Sequence, residues 1–395
     1  MAYNNRRDYR DYDRRKIHLS KRTRNRAIII ATGLIIFALI ITLISTIISC
    51  ICTGSASTDP TVNTATIGTG KKAVKKAKTE NVMFKEPEIK DSDSSSTGTF
   101  DNDYYIWNAK AFEAFNGTKS DAKAYAKFIN KTKEALGLSV NVYSAIVPTH
   151  IEMGLPGRLK NTDEGIKTNS QADYIKAAYK NYSKKVKYIN PYNLLSQRCN
   201  DYIYFDSDHN PTGLGGYYIY KAFTEGINKK AIDLKSCKES TVENFYGSYN
   251  NFTDTELNVD TVHYWDFSYD INNTITTSDG ETDTTYSCYN KEVETGASAY
   301  NVFLYGKNPL EVIRSESDKA DGKIAIVHGN FGNPVVPYFT YNYEEVYSID
   351  YTTYEGNLKN LCAENDIKNV LFISDAVNSA DAEQLAALKK LTGVK

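Results

Sequence analysis

The chain has 395 residues, 41% of them hydrophobic, and 47 Lys/Arg stand against 48 Asp/Glu for a formal net charge of −1 at pH 7. That length buries a sizeable core in one or two domains. The balance of charge excludes a nucleic-acid binder that works through bulk positive charge.

The charge is not evenly spread. Residues 1–26 carry ten Lys/Arg and three Asp, and an uncharged apolar run, Ala27 to Cys52, follows at once. A run of this length exceeds the roughly 20 residues needed to cross a hydrocarbon core of ~30 Å. The sequence therefore predicts a basic cytoplasmic tail (1–26) and a transmembrane helix (27–52). The positive-inside bias would place everything beyond Cys52 outside the cell membrane, in a single-pass, N-in topology. A cleaved secretory signal and a lipoprotein signal ending at Cys50 are the alternatives.

Residues 53–99 are rich in Ser, Thr, Gly, Lys and Asp, which predicts a flexible linker. Its Lys71–Lys78 patch reads as solvated chain. A folded region from about residue 100 to 395 comes next. In "KSDAKAYAKFINKTKEALG", Tyr125, Phe128, Ile129 and Leu136 share a helical face. "LSVNVYSAIVP" reads as a strand, and "NSQADYIKAAYKNYSKK" as a helix N-capped by Ser170. "VKYIN" and "YIYF" (Tyr202–Phe205) are further predicted strands, and "GGYYIYKAF" a helix in which Tyr217, Tyr218 and Tyr220 pack. Residues 234–318, with short alternating runs, predict hairpins inserted into an α/β framework. The framework resumes with "KIAIV", "EVYSIDY", a helix near "EGNLKNLCAEND", "NVLFIS" and a final helix. Strands alternating with helices imply a mostly parallel sheet covered on both faces, with sites at the carboxyl ends of strands.

Cys199, Cys237, Cys288 and Cys362 are widely spaced, with no CxxC or Cys/His cluster. No metal or other cofactor is expected, and disulfides stay possible outside the cell. The chemistry-bearing stretches are "DSDHN" after "YIYF" and "HGNFGNP" after "KIAIV".

The ordered blocks "VYSAIVPTHIE", "DYIYFDSDHNPTGLGGYYIYKAF", "YNVFLYGKNPLEVI" and "IAIVHGNFGNPVVPYF" resemble the DHHW family of exported bacterial proteins. That family is similar to the SGNH hydrolase-like alginate O-acetylation proteins. The resemblance implies a flavodoxin-like three-layer sandwich and a Ser–His–Asp triad acting on acyl groups of carbohydrate, with amides of a following helix as oxyanion donors. Carried over residue by residue, the family's D-H-H-W falls on Asp208, His209, Asn210 and Pro211, and its Asp-Ser pair on Gly329 and Asn330. The His and Ser positions of the triad are thus both Asn. An amide neither attacks an acyl carbon nor acts as a general base at neutral pH.

The reading that follows is a degenerate site around Asp208, Asn210 and Asn330, gathered at the carboxyl edge of the sheet. A helix is expected to start near Pro334. The domain is then a non-catalytic relative that binds a cell-envelope glycan or a membrane-bound acyltransferase. The alternative is an active O-acetyltransferase or esterase using a shifted Asp206/His209 pair. His150 and His328, both at strand ends, and the Ser374-Asp375 pair, read as a strand exit and helix cap, complete the candidates.

Overall fold

The structure, a computed structural model of the whole chain, describes residues 67–69 and 84–395 apart from Ser92. All of these belong to one compact unit, Asn63–Lys395. The basic tail, the apolar run 27–52 and residues 53–66 and 70–83 of the linker lie outside the described residues. No described helix is long and apolar enough to cross a membrane.

β1 (Ile67–Thr69) is an edge strand of the main sheet, whereas β2 (Thr99–Asp101), β3 (Tyr104–Trp107) and β4 (Lys110–Glu113) form a small antiparallel sheet of their own. α1 (Lys119–Leu136) starts in a capping box: Thr118 Oγ1 accepts from the Asp121 amide, and the Asp121 carboxylate accepts from the Thr118 amide. Its buried face contains Tyr125, Phe128, Ile129 and Leu136, as the spacing predicts. Then come β5 (Asn141–Val147), α2 (His150–Gly154), α3 (Gln171–Asn181), β6 (Val186–Ile189), α4 (Tyr192–Gln197) and α5 (Gly213–Gly226). Ser170 caps α3 by accepting from the Asp173 amide at 3.1 Å.

In the predicted insertion, β7 (Lys238–Phe245) and β8 (Asp260–Asp266) form a separate hairpin-like pair. β9 (Ile271–Thr276), β10 (Thr282–Thr285) and β11 (Leu310–Ser315) instead join the main sheet, antiparallel, beyond its last parallel strand. β12 (Lys323–His328), β13 (Glu345–Asp350), α6 (Leu358–Glu364), β14 (Asn369–Asp375), α7 (Ala376–Ala380) and α8 (Ala382–Thr392) complete the chain.

The nine-stranded sheet runs β1-β6-β5-β14-β12-β13-β11-β9-β10. Five adjacent strands, the second to the sixth in this order (β6 to β13), are parallel. Six of seven residues in β5 and in β14 are buried, which requires cover on both faces. Register shows which helices supply it. Tyr143 lies beside Leu371 and Ser144 beside Phe372, so Tyr143 and Phe372 point to opposite faces. Phe128 of α1 meets Phe372 edge-on at 5.8 Å, and Phe223 of α5 meets Tyr143 at 5.3 Å. α1 and α5 therefore sandwich the sheet.

In chain order the parallel strands lie 2-1-5-3-4, not in the flavodoxin order 2-1-3-4-5. Counting from β12, through β13 and β14, and then on to β5 and β6 restores the flavodoxin order. The sheet is a circular permutation of that arrangement. The switch point, where strand order reverses, then falls between β12 and β14, so it is the carboxyl ends of these two strands that should frame a ligand.

Three local expectations change. Tyr202–Phe205 is not a strand of the sheet; it makes one isolated bridge, Tyr204 with Pro211, and folds back on itself through Thr212 N–H to Ile203 C=O. Its backbone is engaged locally and its tyrosines are anchored elsewhere, with Tyr204 O–H donating to Pro148 C=O. The segment after Asn330 forms two short 3₁₀ turns, Asn330–Gly332 and Val336–Tyr341, rather than a helix starting at Pro334. Residues 84–98, placed in the linker by composition, lie against the domain. Asp91 pairs with Arg158, which also donates to the Ser96 carbonyl at 2.7 Å, and Phe84 packs edge-on against Tyr192 at 5.1 Å. Isolated polar residues find partners there that composition alone does not reveal.

Candidate functional site

The loop Asp206–Asn210 is pinned from three sides. Asp260, the first residue of β8, accepts from the amides of Asp206 (3.0 Å) and Ser207 (2.8 Å) and from Ser207 Oγ (2.6 Å). The Asp206 carbonyl accepts from Ala111 of β4, and the Ser207 carbonyl from Tyr249 N–H. Gly247 comes so close that a Cβ there would sit 2.3 Å from the Ser207 carbonyl and 2.5 Å from Asp208 Cβ. The insertion thus holds the loop in shape. Asp260, which does most of this, carries no signal in the sequence.

Asp208 and Asn210 are both buried. Asp208 Oδ1 accepts from the Asn210 amide at 2.9 Å and from Asn210 Nδ2 at 2.7 Å, and Oδ2 accepts from the Ser248 amide at 2.7 Å. Asn210 therefore makes to Asp208 the bond an imidazole N–H makes to its aspartate in a triad. Its other end differs: Asn210 Oδ1 is buried without a hydrogen-bond partner.

Asn330 lies two residues beyond the end of β12, half-buried. Its carbonyl accepts from Tyr300 O–H at 2.8 Å and its Oδ1 from Asn333 Nδ2 at 3.2 Å. Burial, and then the Asp208 charge, push the Tyr300 phenol up. The amides after Asn330 are engaged in its own turn, with Gly332 N–H donating to the Gly329 carbonyl. Gly216 of α5 would place a Cβ 2.3 Å from the Pro334 carbonyl, so only glycine admits this close packing of the two segments.

His209 is the exposed member of the loop, with 43% of its side chain accessible. Its Nδ1 lies 3.1 Å from Ser248 Oγ and 3.6 Å from Asp208 Oδ1. A Ser–His–Asp relay needs hydroxyl and carboxylate on opposite ring nitrogens, and here both face the same one. Asp206 points elsewhere: it pairs with Lys110 at 2.8 Å and accepts from Asn258 Nδ2 at 2.9 Å, on a cleft that His209 does not line. The structure does not bring the shifted pair together.

The remaining histidines divide. His328 is buried, with Nδ1 at 2.7 Å from the Gly329 carbonyl and Nε2 at 2.7 Å from Ser348 Oγ. Facing a carbonyl, Nδ1 must donate, leaving Nε2 to accept from Ser348. Burial holds this ring's pKa below the ordinary value. His150 is buried between Phe112 and Tyr204, its pKa pushed down by burial to about 3, and its Nδ1 has no partner.

His150 and His209 meet across a cleft of about 220 Å³ with Glu113, Thr149, Tyr249, Asp375 and Asn378. Asp375 ends β14 at the switch point and caps α7, accepting from the Asn378 amide at 2.8 Å and from Asn378 Nδ2 at 2.5 Å. Burial raises the pKa of Asp375 and of Glu113 above the usual carboxylate range. Asp375 was legible as a strand-end cap, and its place in the cleft follows only from the permuted strand order. Glu113 and Tyr249, from the small sheet and the insertion, had no sequence signal. Cys199, Cys237, Cys288 and Cys362 are free thiols.

No curated protein matches the chain. Among solved structures, a DHHW family protein from Eubacterium siraeum is similar at 26% identity and a TM-score of 0.67, over 75% of this chain and 98% of that one. Bacillus cereus PatB1 superimposes with a TM-score of 0.58 at 17% identity, over 73% of this chain and 98% of its own, a likeness of fold. The sequence profile of the DHHW proteins matches residues 41–349, well over half of the chain. With the block order of its sequence, its central sheet and this match in agreement, the chain belongs to the DHHW family.

Proposed function

We propose that this protein is a membrane-anchored extracellular DHHW domain that takes part in O-acylation-type modification of a cell-envelope polysaccharide by binding the glycan, without turning over an acyl ester. The anchor is the apolar run 27–52, with the N-terminus cytoplasmic, and a membrane-bound acyltransferase is the natural partner of a domain so placed. The observation that carries the reading is Asn210: it stands where the family's motif has its triad histidine, bonds Asp208 through Nδ2 at 2.7 Å, and presents to its other side a carbonyl oxygen that cannot take a proton from a nucleophile. Asn330 in the nucleophile position points the same way.

The test is hydrolysis of an activated acetyl ester by wild type, His209→Ala, Asn330→Ala and the triple variant Asn210→His, Gly329→Asp, Asn330→Ser. Wild type and both alanine variants are expected to be alike at background, with any gain confined to the triple variant. Robust wild-type turnover that disappears in His209→Ala would defeat the non-catalytic reading.

A further inference from the structure

The 220 Å³ cleft holds two carboxylates, Glu113 at the end of β4 and Asp375 at the end of β14, brought together from different sheets. Among the described residues neither forms an ion pair with Lys or Arg. Asp375 is held by the Asn378 hydrogen bonds, but neither carboxylate has a cationic partner, and a cation placed between them lowers the cost of keeping both charges out of water. Among the described residues no group of three or more His, Cys, Asp or Glu is placed to hold a metal ion, which favours an organic cation. A second observation points inward: His150, only 6% exposed, lines the same cleft, and its Nδ1 has no hydrogen-bond partner.

The cleft continues into an aromatic ledge. Tyr249 lines it, and Tyr104, directly across the β3–β4 ladder from Glu113, packs on Tyr249 at 4.9 Å. Tyr104 in turn stacks at 6.1 Å and 25° on Phe252, which is 55% exposed. Phe252 and the half-buried Tyr104, backed by Tyr249 at 5% exposure, offer an apolar surface with a phenol hydroxyl beside it, the complement of a pyranose. An ammonium beside them gains from the ring faces as well.

We propose that this cleft is a subsite for an amino sugar bearing a free ammonium group, the ammonium seated between Glu113 and Asp375 and the sugar ring lying on the Tyr104–Tyr249–Phe252 ledge. This names the glycan class at the site proposed above and rests on that reading. Neither an N-acetylated hexosamine, which has no charge to offer, nor a linear polyamine, which has no ring to stack, uses both halves.

The experiment is isothermal titration of the detergent-solubilised full chain at pH 7 with three probes: the β-1,4-linked glucosamine tetramer, its fully N-acetylated counterpart, and spermidine. The glucosamine tetramer is expected to bind at least tenfold more tightly than either of the others. Glu113→Gln should lower it to the level of the N-acetylated tetramer, and Phe252→Ala, at an exposed position that does not threaten folding, should weaken it about fivefold. Equal binding of the two tetramers overturns the ammonium subsite while leaving glycan binding standing. Spermidine binding as tightly as the glucosamine tetramer overturns the ledge. Binding of neither tetramer overturns the subsite together with the glycan reading on which it rests.

Discussion

Asparagine and histidine differ in one respect that governs this site: the amide has no protonation equilibrium near neutrality, so it can hold a carboxylate in place without passing a proton on. Asn210 does the holding, donating from Nδ2 to Asp208 at 2.7 Å, and on the reading proposed above no proton is relayed. A different residue shows what an uncompensated carboxyl does to stability. Glu311 of β11 is 2% exposed and accepts from Asn273 Nδ2 at 2.6 Å and Asn308 Nδ2 at 3.1 Å. Burial outweighs both bonds and pushes its carboxyl up from 4.5 to about 8. Because the folded value lies above the unfolded one, the folded state holds the proton more tightly, and the associated stability, complete below pH 4.5, is lost as pH rises to about 8. Glu311→Gln should flatten the dependence of Tm on pH between 5 and 8 and raise stability at pH 8 by a few kcal/mol at most, on the order of the cost of burying an ionised group. A Tm profile that falls as steeply in the variant as in wild type would show that another group is responsible.

At the scale of elements, local signals were strong where one element decides its own form. The Ser170 cap of α3 lies where the sequence predicts it, and the structure adds a capping box before α1 in "T-K-S-D". Thr118→Ala removes the one hydroxyl oxygen that accepts from the Ser120 and Asp121 amides and should cost about 1 kcal/mol, read as a lower denaturation midpoint with an unchanged slope. A midpoint equal to wild type would mean the end of the helix is held by packing instead. Where tertiary partners decide, the sequence was silent or misleading. "YIYF" has the composition of a strand, yet the Thr212–Ile203 hydrogen bond closes it into a loop. The alternating runs of the insertion were legible as strands, but not that β9 to β11 extend the main sheet while β7 and β8 stand apart to brace the Asp206–Asn210 loop. Asp208, His209, Asn210 and Asn330 were found through family spacing. Glu113, Tyr249 and Asp260 were not, because long-range pairing alone puts them there.

For the molecule as a whole, the proposed topology has a direct readout. Protease added to wall-free cells is expected to release the domain and leave a short protected N-terminal fragment, since the basic head precedes the apolar run. A full-length protected chain would place the domain on the other side of the membrane. Residues 84–98 belong to the folded domain: Asn200 grips this stretch, donating to the Glu88 carbonyl at 2.8 Å and accepting from the Lys90 amide at 2.7 Å.

The permuted strand order governs how the chain matures. β14 is the keystone between β5 and β12, and its register joins Asn369 to Asn141, residues 228 positions apart. Until β14 has been synthesised, β5 and β12 have no common neighbour and their edges stay open. Such non-local closure is slow, and open edges invite pairing with other chains. A nascent chain stalled before Asn369 would therefore be a substrate for quality-control proteases instead of a shortened but working domain, and the cleft between Glu113 and Asp375 forms only once β14 is in place.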